Sequence, residues 1–415
     1  MRQIADFHLH SKYSRATSSQ MDFENLYQWA KIKGIQILGA GDILHPLWQK
    51  EIESKLEDLG NGLFKLKDKK DDVLFCLVGE VNCVFEKWQK TRKIHLLIFL
   101  SSLKDLKKIT PILSWSGNLS SDGRPTLNLD AKELLKIVKE NTKDGFVVPA
   151  HAWTPWFGIF GSKSGFNSLE ECFEELSGEI FSIETGLSSD PKMNWRLSKL
   201  DRLSLISNSD AHSPKKIGRE ANVFEIEKEK LSFSEIKRIL KEKDRQKFLF
   251  TIEFYPEEGK YHFDGHRMCN VCLSPKERKK LGGICPNCGK PVTVGVMSRI
   301  DELADRKEGF VPENAIPQKN LIPLEEIIAE AFETEVSTKK VEEEYFKLIN
   351  HFGSEFEILM DVPTDEIKKI SPKVGEGIEK MRKEDIVKIP GYDGKFGKIL
   401  VFGKAEERKT QKTLF

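Results

Sequence analysis

The first residues able to do chemistry come within ten positions of the N-terminus, in Asp6-Phe7-His8-Leu9-His10. In an extended chain alternate side chains share a face, so His8 and His10 point the same way. Two imidazoles together at a strand end suit a shared metal ion. Carboxylates and further imidazoles follow in the same kind of place. Gly41-Asp42 is followed by His45, and Gly79-Glu80 precedes His95. Pro149-Ala150-His151, Glu184 and Ser209-Asp210-Ala211-His212 complete the series. All the histidines except His262, His266 and His351 fall at or near the ends of expected strands. One such histidine alone would be structural, but the set reads as ligands. The expected barrel ligands are His8, His10, Asp42, Glu80, His95, His151, Asp210 and His212, with His45 and Glu184 left open. Glu80, Asp210 and His212 are the expected catalytic groups. Mixed imidazole and carboxylate donors suit zinc, manganese or iron, and a carboxylate such as Glu80 can bridge two ions. Two neighbouring ions activate water and clamp a phosphoryl oxygen.

A second cluster is of a different kind. Cys269, Cys272, Cys285 and Cys288 form two CxxC pairs separated by a twelve-residue spacer. Two such knuckles complete a tetrahedron of thiolates around structural zinc. Cations around them, Arg278, Lys279 and Lys280 among them, suit phosphate contacts. The other three cysteines, Cys76, Cys83 and Cys172, lie in apolar or helical contexts and read as core. Directly after His151 comes a glycine-rich aromatic segment with Trp153, Trp156 and Phe157. A packed loop would account for it. So would a stacking surface for an extruded base, since aromatic faces bind any base without a sequence code.

Short apolar strands must carry these residues. Seven are expected: Gln3–His8, Gln36–Ala40, Val73–Val78, Ile94–Leu100, Phe146–Pro149, Ile180–Ile183 and Leu203–Ser207. Amphipathic helices intervene at Phe23–Lys33, Pro46–Lys55, Asp130–Glu140 and Leu169–Leu176. This alternation predicts an α/β barrel with chemistry at the strand ends. The expected organisation is a metal-dependent barrel over residues 1–250, a zinc module over 251–300, a helical DNA-binding segment over 301–403 and a tail over 404–415. Helices are predicted at Leu324–Phe332, Lys340–Phe352 and Thr364–Ile370.

The order HxH, D, GE, H, AH, SDAH resembles the polymerase and histidinol phosphatase (PHP) superfamily. That resemblance implies a distorted (β/α)7 barrel with a two- or three-ion phosphoesterase site. It assigns His8 and His10 to the opening motif, Glu80 to the bridging carboxylate, His95 and His151 to the second ion, and Asp210 and His212 to the closing motif. Many members have histidine directly after the second-motif aspartate. Here Ile43 stands there, so a third ion would depend on His45 or Glu184. Gly41-Asp42-Ile43 followed by Pro46-Leu47-Trp48, the segment Ala150–Gly158 and the cysteine module together resemble the endonuclease Q family. The implied activity is a nick 5′ of deaminated bases (uracil, hypoxanthine, xanthine) and of abasic sites. The implied ions are zinc in the cysteine module and two or three of zinc, manganese or magnesium in the barrel.

In the last third, Val374-Gly375-Glu376-Gly377-Ile378 resembles the phosphate-holding turn of a helix-hairpin-helix element, which makes Gly375 and Gly377 candidate DNA-backbone contacts. The chain ends Gln411-Lys412-Thr413-Leu414-Phe415, similar to the first part of a motif that binds a PCNA-type sliding clamp. Gln411, Leu414 and Phe415 are its candidate contacts. A net charge of +1 over 415 residues excludes a wholly basic nucleic-acid coat, so any DNA surface must be local. No apolar run reaches the ~18 residues of a membrane span, and no export signal is visible, so a cytoplasmic, non-membrane protein is expected. Two rivals to a nuclease acting on damaged double- or single-stranded DNA are a phosphatase for a small phosphomonoester and a DNA-binding adaptor with an inactive barrel.

Overall fold

Apolar-rich runs of three to fourteen residues, most of them separated by helices, form the strands of a ring. The computed structural model describes residues 1–70 and 72–403, and these divide into two compact units. The first takes residues 1–30, 35–253 and 296–319; the second takes 31–34, 254–295 and the residues from 320 onward.

In the first unit all seven expected strands are present: β1 Arg2–Asp6, β2 Ile37–Gly39, β3 Leu74–Lys87, β4 Lys90–Leu100, β5 Phe146–Pro149, β6 Ser182–Glu184 and β7 Ser204–Ile206. β1, β2 and β3 run parallel, with Ala5 opposite Ile37 and Ile37 opposite Leu74. β4 turns back antiparallel to β3 and β5 antiparallel to β4, so β5 again runs with β1. β6 and β7 pair in parallel. Two seams close only beyond the strand ends. Ala152 N donates to Glu184 O, and His10 N donates to Ala211 O. Side chains help at the second seam, where Phe7 N donates to Asn208 Oδ1 and Ser209 N to Asp6 Oδ1. The barrel is therefore tied together at the end that carries the ligands. Two more strands, β8 Ala221–Glu225 and β9 Phe248–Glu253, extend the sheet antiparallel from β1.

The interior follows the period of two. Cys76 and Val78 on β3 and Phe99 and Leu97 on β4 belong to one buried cluster with Phe7, Phe146 and Val148. Phe99 stacks on Phe146 at 4.4 Å and meets Phe7 edge-on at 5.6 Å. The next residues in phase are Glu80 on β3 and His95 on β4. The rows that fill the core thus end in ligand side chains at its mouth.

Around the ring lie α1 Phe23–Lys33, α2 Pro46–Lys55, α3 Leu103–Ser114, α4 Ala131–Asn141, α5 Phe233–Glu242 and α6 Val296–Leu303. α4 shows why they form. Asp130 caps it by accepting from Lys132 N, and Ala131, Leu134, Leu135 and Val138 make one buried stripe. α6 belongs to a segment that returns to the barrel unit after the cysteine region. There Arg299 donates to the carbonyls of Phe160 and Phe166, and Arg306 grips both oxygens of Asp201.

The second unit holds the hairpin β10 Asp264–His266 and β11 Val271–Leu273, a short helix Pro275–Lys280, and helices α7 Leu324–Ala331, α8 Lys339–Phe352, α9 Thr364–Ile370 and α10 Pro372–Arg382. The three helices expected after residue 300 correspond to α7, α8 and α9. The glycine segment is corrected. Gly375 and Gly377 are interior residues of α10, not a phosphate-holding turn, and both are buried. A Cβ on Gly375 would sit 2.8 Å from Lys368 N, and one on Gly377 would sit 2.7 Å from Ile327 Cγ2. They lack side chains because α9 and α7 approach that closely. Gln411, Leu414 and Phe415 lie outside the described residues. No helix among the described residues is long and apolar enough to cross a membrane.

Candidate metal centre

Two donor sets share Glu80 at the mouth of the barrel. His8, His10, Glu80 and Asp210 offer one atom each within 4.8 Å of one another, and so do Glu80, His95 and His151. In the first set Glu80 Oε2 lies 3.3 Å from Nε2 of both His8 and His10. Asp210 Oδ1 lies 3.6 Å from the first imidazole and 3.0 Å from the second. Bonds of about 2.0–2.1 Å make a tetrahedron with edges of about 3.4 Å, so these spacings fit one small divalent ion. In the second set Glu80 Oε1 lies 2.5 Å from His95 Nδ1 and 3.1 Å from His151 Nε2. His8 Nε2 is fully buried with no hydrogen-bond partner, which a cation would satisfy. The residues fit a two-ion centre bridged by Glu80.

The backbone is bent to present them. Asp42, His151 and Asp210 all have left-handed φ values of 46°, 30° and 48°. Non-glycine residues in that region cluster where function requires them.

Asp42 and Glu184 stand outside both donor sets. Glu184 lies 3.0 Å and 3.1 Å from His8 Nδ1 and accepts from Asn208 Nδ2 and His151 N. Asp42 lies 3.0 Å from His10 Nδ1 and accepts from Ser11 N, Ser11 Oγ and Ser14 Oγ. Each histidine of the first set therefore has a carboxylate behind it, which fixes the ring and leaves Nε2 for the ion. This corrects the expectation that Asp42 is a ligand: its oxygens are spent on His10, Ser11 and Ser14. His45 stacks on Tyr13 at 4.6 Å, away from both sets. His212 also falls outside them. Its ring lies on His10 at 4.5 Å, and Nδ1 donates to Asp210 O at 2.8 Å. Its side chain is 33% exposed.

The charges are strongly coupled. Burial alone would lower His8 and His10, but Glu184, Glu80, Asp210 and Asp42 hold both well above the ordinary imidazole value. Burial would raise Glu80 and Asp210, but the imidazoles and Arg124 hold Glu80 far below the usual range, and His8 and His10 do the same for Asp210. Burial pushes His95 down to about 4 against the pull of Glu80. The surrounding carboxylates thus favour the protonated form of both imidazoles.

Arg124 was not foreseen. Its Nη1 donates to Glu80 Oε2 at 3.1 Å, and the side chain is partly exposed. It comes from a loop with no strand-end signature, so nothing in the spacing singled it out.

The aromatic segment divides. Trp153 is 1% exposed, packs on Phe160 and donates from Nε1 to Asn194 Oδ1. It is core and cannot stack on an extruded base. Phe157 stacks on His95 at 4.4 Å, and its carbonyl accepts from His95 N, so it positions a ligand. Trp156 is 41% exposed.

In the second unit His266, Cys269, Cys285 and Cys288 bring donor atoms within 4.8 Å of one another. Cys288 Sγ lies 3.4 Å from His266 Nδ1. His266 thus stands where Cys272 was expected. The hairpin register explains it. Cys272 pairs with Gly265 and Val271 with His266, so Cys272 and His266 face opposite sides. Burial, with Glu277 and Asp264, pushes the Cys272 thiol up to about 12. For Cys285 burial is outweighed by the N–H groups of Asn287 and Cys288, which bring it down to about 7, toward the thiolate a metal needs. The His266-x2-Cys269 spacing was the signal available in the sequence. Nearby, Lys279 and Lys280 are exposed, whereas Arg278 is partly buried 3.7 Å from Asp264.

A family model described as the MJ0043 C-terminal domain matches residues 323–385, which contain α7 to α10. Over 254 residues, 60% of the chain, the sequence is 34% identical to MJ0043 of Methanocaldococcus jannaschii, and the match spans only 31% of that protein. It is 29% identical to YqxK of Bacillus subtilis over 96% of this chain and 100% of YqxK. The crystal structure of the lesion-specific endonuclease PfuEndoQ from Pyrococcus furiosus matches with a TM-score of 0.86 and 31% identity over 99% of each chain. An Endonuclease Q complex with a 27-mer duplex carrying an abasic lesion at the active site matches with a TM-score of 0.85 and 31% identity, over 98% of this chain and 100% of that one. With the cysteine cluster, the Glu80-bridged donor sets and this end-to-end identity, the chain belongs to the endonuclease Q family.

Proposed function

We propose that this protein is a metal-dependent DNA endonuclease that nicks the phosphodiester 5′ of deaminated bases and abasic sites. The observation that carries the reading is Glu80 joining two buried donor sets at the barrel mouth, in a chain of this family. His8, His10, Glu80 and Asp210 would hold one divalent ion, and Glu80, His95 and His151 a second. Zinc, manganese and magnesium are the candidates, with zinc in the cysteine site. Such ions lower the pKa of water and neutralise phosphate charge. Water oxygen adds to phosphorus and the P–O3′ bond breaks; the departing 3′-oxygen takes a proton from solvent, so a 3′-hydroxyl and a 5′-phosphate remain. A carbonyl only accepts hydrogen bonds, so His212 Nδ1 carries the proton it shares with Asp210 O. When the ring is neutral, Nε2 is left as an acceptor for a proton from the attacking water. Arg124, bonded to Glu80 and partly exposed, is suited to a phosphate contact. Lys279 and Lys280 suit backbone contacts, and Trp156 suits stacking on an extruded base.

The test is incubation with end-labelled duplexes carrying uracil, hypoxanthine, an abasic site or no lesion. Nicks 5′ of the lesions, abolished by chelator, are expected. Asp210→Ala should lower the rate at least about a thousandfold while DNA binding persists, since a lost ligand costs several kcal/mol of charge stabilisation. Equal cutting of the undamaged duplex, or cutting that survives chelator, overturns the reading.

A further inference from the structure

The hairpin of β3 and β4 is longer than the barrel needs. Its ladder runs through eleven pairs, from Leu77 opposite Leu100 to Lys87 opposite Lys90. Glu80 lies at the barrel mouth and seven further residues of β3 follow it, Asn82 and Cys83 still paired with Thr126 and Leu127 and the rest continuing toward the tip. At about 3.3 Å per residue, the tip lies up to about 25 Å along the strand from Glu80.

The tip is built against local preference. Trp88 and Gln89 form the two-residue turn with φ values of 54° and 58°. That turn favours Asn-Gly, because both positions lie in the left-handed region. Here it carries a tryptophan that is 57% exposed. The arm beneath is braced. Phe85 stacks on Phe166 at 6.3 Å, and the Arg92 guanidinium lies 4.3 Å over Phe166 while donating to Gly165 O. Lys87 reaches Cys172 O and Glu174. Arg92 and Lys87 also flank the Trp88 ring, each 5.8 Å from its centre. Lys90 makes no ion pair among the described residues; of the carboxylates near the tip, Glu86 is bonded by Thr91 and Glu174 is paired with Lys87. A braced arm thus ends in an exposed indole with a lysine free of ion pairs beside it.

We propose that this arm is a second DNA contact, with Trp88 laid against the duplex and Lys90 on a phosphate, about seven base pairs from the lesion. The spacing follows from about 25 Å at 3.4 Å per base-pair step. The inference rests on the nuclease reading above. Charge complementarity selects nucleic acid, and the arm's rise from the catalytic mouth selects the flank of the same substrate.

The test measures anisotropy with labelled abasic duplexes that keep twelve base pairs on both sides of the lesion, or only four on one side or the other. The proteins are the parent, Trp88→Ala, and the double variant Trp88→Asn with Gln89→Gly. The double variant removes the indole while supplying the residues the turn prefers, so it should melt no lower than the parent. Both variants should bind the long duplex between about fivefold and a hundredfold more weakly, the effect of one lost aromatic platform. They should match the parent on the duplex shortened on the arm's side. Lys90→Ala should flatten the salt dependence by about one unit of slope. Variants that bind every duplex as the parent does, or lose equally on all of them, overturn the proposal. A parent that neither binds nor nicks the long duplex overturns the nuclease reading itself, which separates the two failures.

Discussion

His8 and His10 each use one ring nitrogen toward the ion cavity and the other toward a carboxylate, Glu184 or Asp42. This division of labour makes Glu184 a positioning residue. Glu184→Gln should lower metal affinity about 10–100-fold, the range for a lost partner behind a ligand. Dialysis against a graded metal buffer, read by atomic emission, checks this; unchanged affinity would show that His8 needs no backing. The two tryptophans should separate in the same way. Trp153→Ala should cost about 3–5 kcal/mol of stability, because it empties a buried site and orphans Asn194. Trp156→Ala should leave the melting temperature nearly unchanged and cost about 1–3 kcal/mol on lesion-bearing DNA. Equal melting of the two variants would reject that distinction. Residue types and strand-end positions pointed to His8, His10, Glu80, His95, His151 and Asp210, whose donor atoms converge in two sets. They could not separate a ligand from the carboxylate behind it, because that depends on which ring nitrogen each oxygen meets. Nor could they mark Trp153 as core, since its partner Asn194 lies 41 residues on.

At the level of elements, pairing register does the selecting. On β3 and β4 it aims Glu80 and His95 along the rows of Val78 and Leu97. In the β10–β11 hairpin it turns Cys272 away from the other thiols and brings His266 in. His266→Ala should therefore lose the module's zinc, whereas Cys272→Ser should keep it. Metal stoichiometry decides the matter, and a Cys272 variant without zinc would restore the four-cysteine site. Most strands were legible because each is a short apolar run with a chemical marker at its end; β3 and β4 run well past Glu80 and His95, so only their apolar halves were read. The glycines of α10 were misread because a turn and a tight helix crossing both demand glycine. Only the closeness of Lys368 and Ile327 distinguishes them.

For the whole molecule, the coupled charges at the barrel mouth tie stability to pH and to metal. Without ions, His8 and His10 carry raised values. Their contribution is complete below the unfolded value of 6.5 and is lost as pH rises through the elevated folded values. Glu80 is depressed, so its contribution is present above 4.5 and is lost as pH falls through its folded value. Chelated protein should thus lose melting temperature as the medium turns alkaline. Metal-loaded protein should not, because ions replace the protons and bind more tightly as pH rises. Melting curves from about pH 6 to 9, with and without chelator, check this; parallel curves would mean that the centre does not govern stability.

The return of residues 296–319 to the barrel unit also sets an order of events during synthesis. Arg299 and Arg306, which clamp the loops at Phe160, Phe166 and Asp201, emerge only after residues 254–295 have been made. At about 5–20 residues per second, the nascent barrel waits about 2–8 s with those loops unclamped. A fragment ending at residue 250 would remain in that waiting state permanently. An expression boundary that respects the barrel therefore runs past residue 319, with the cysteine segment carried along.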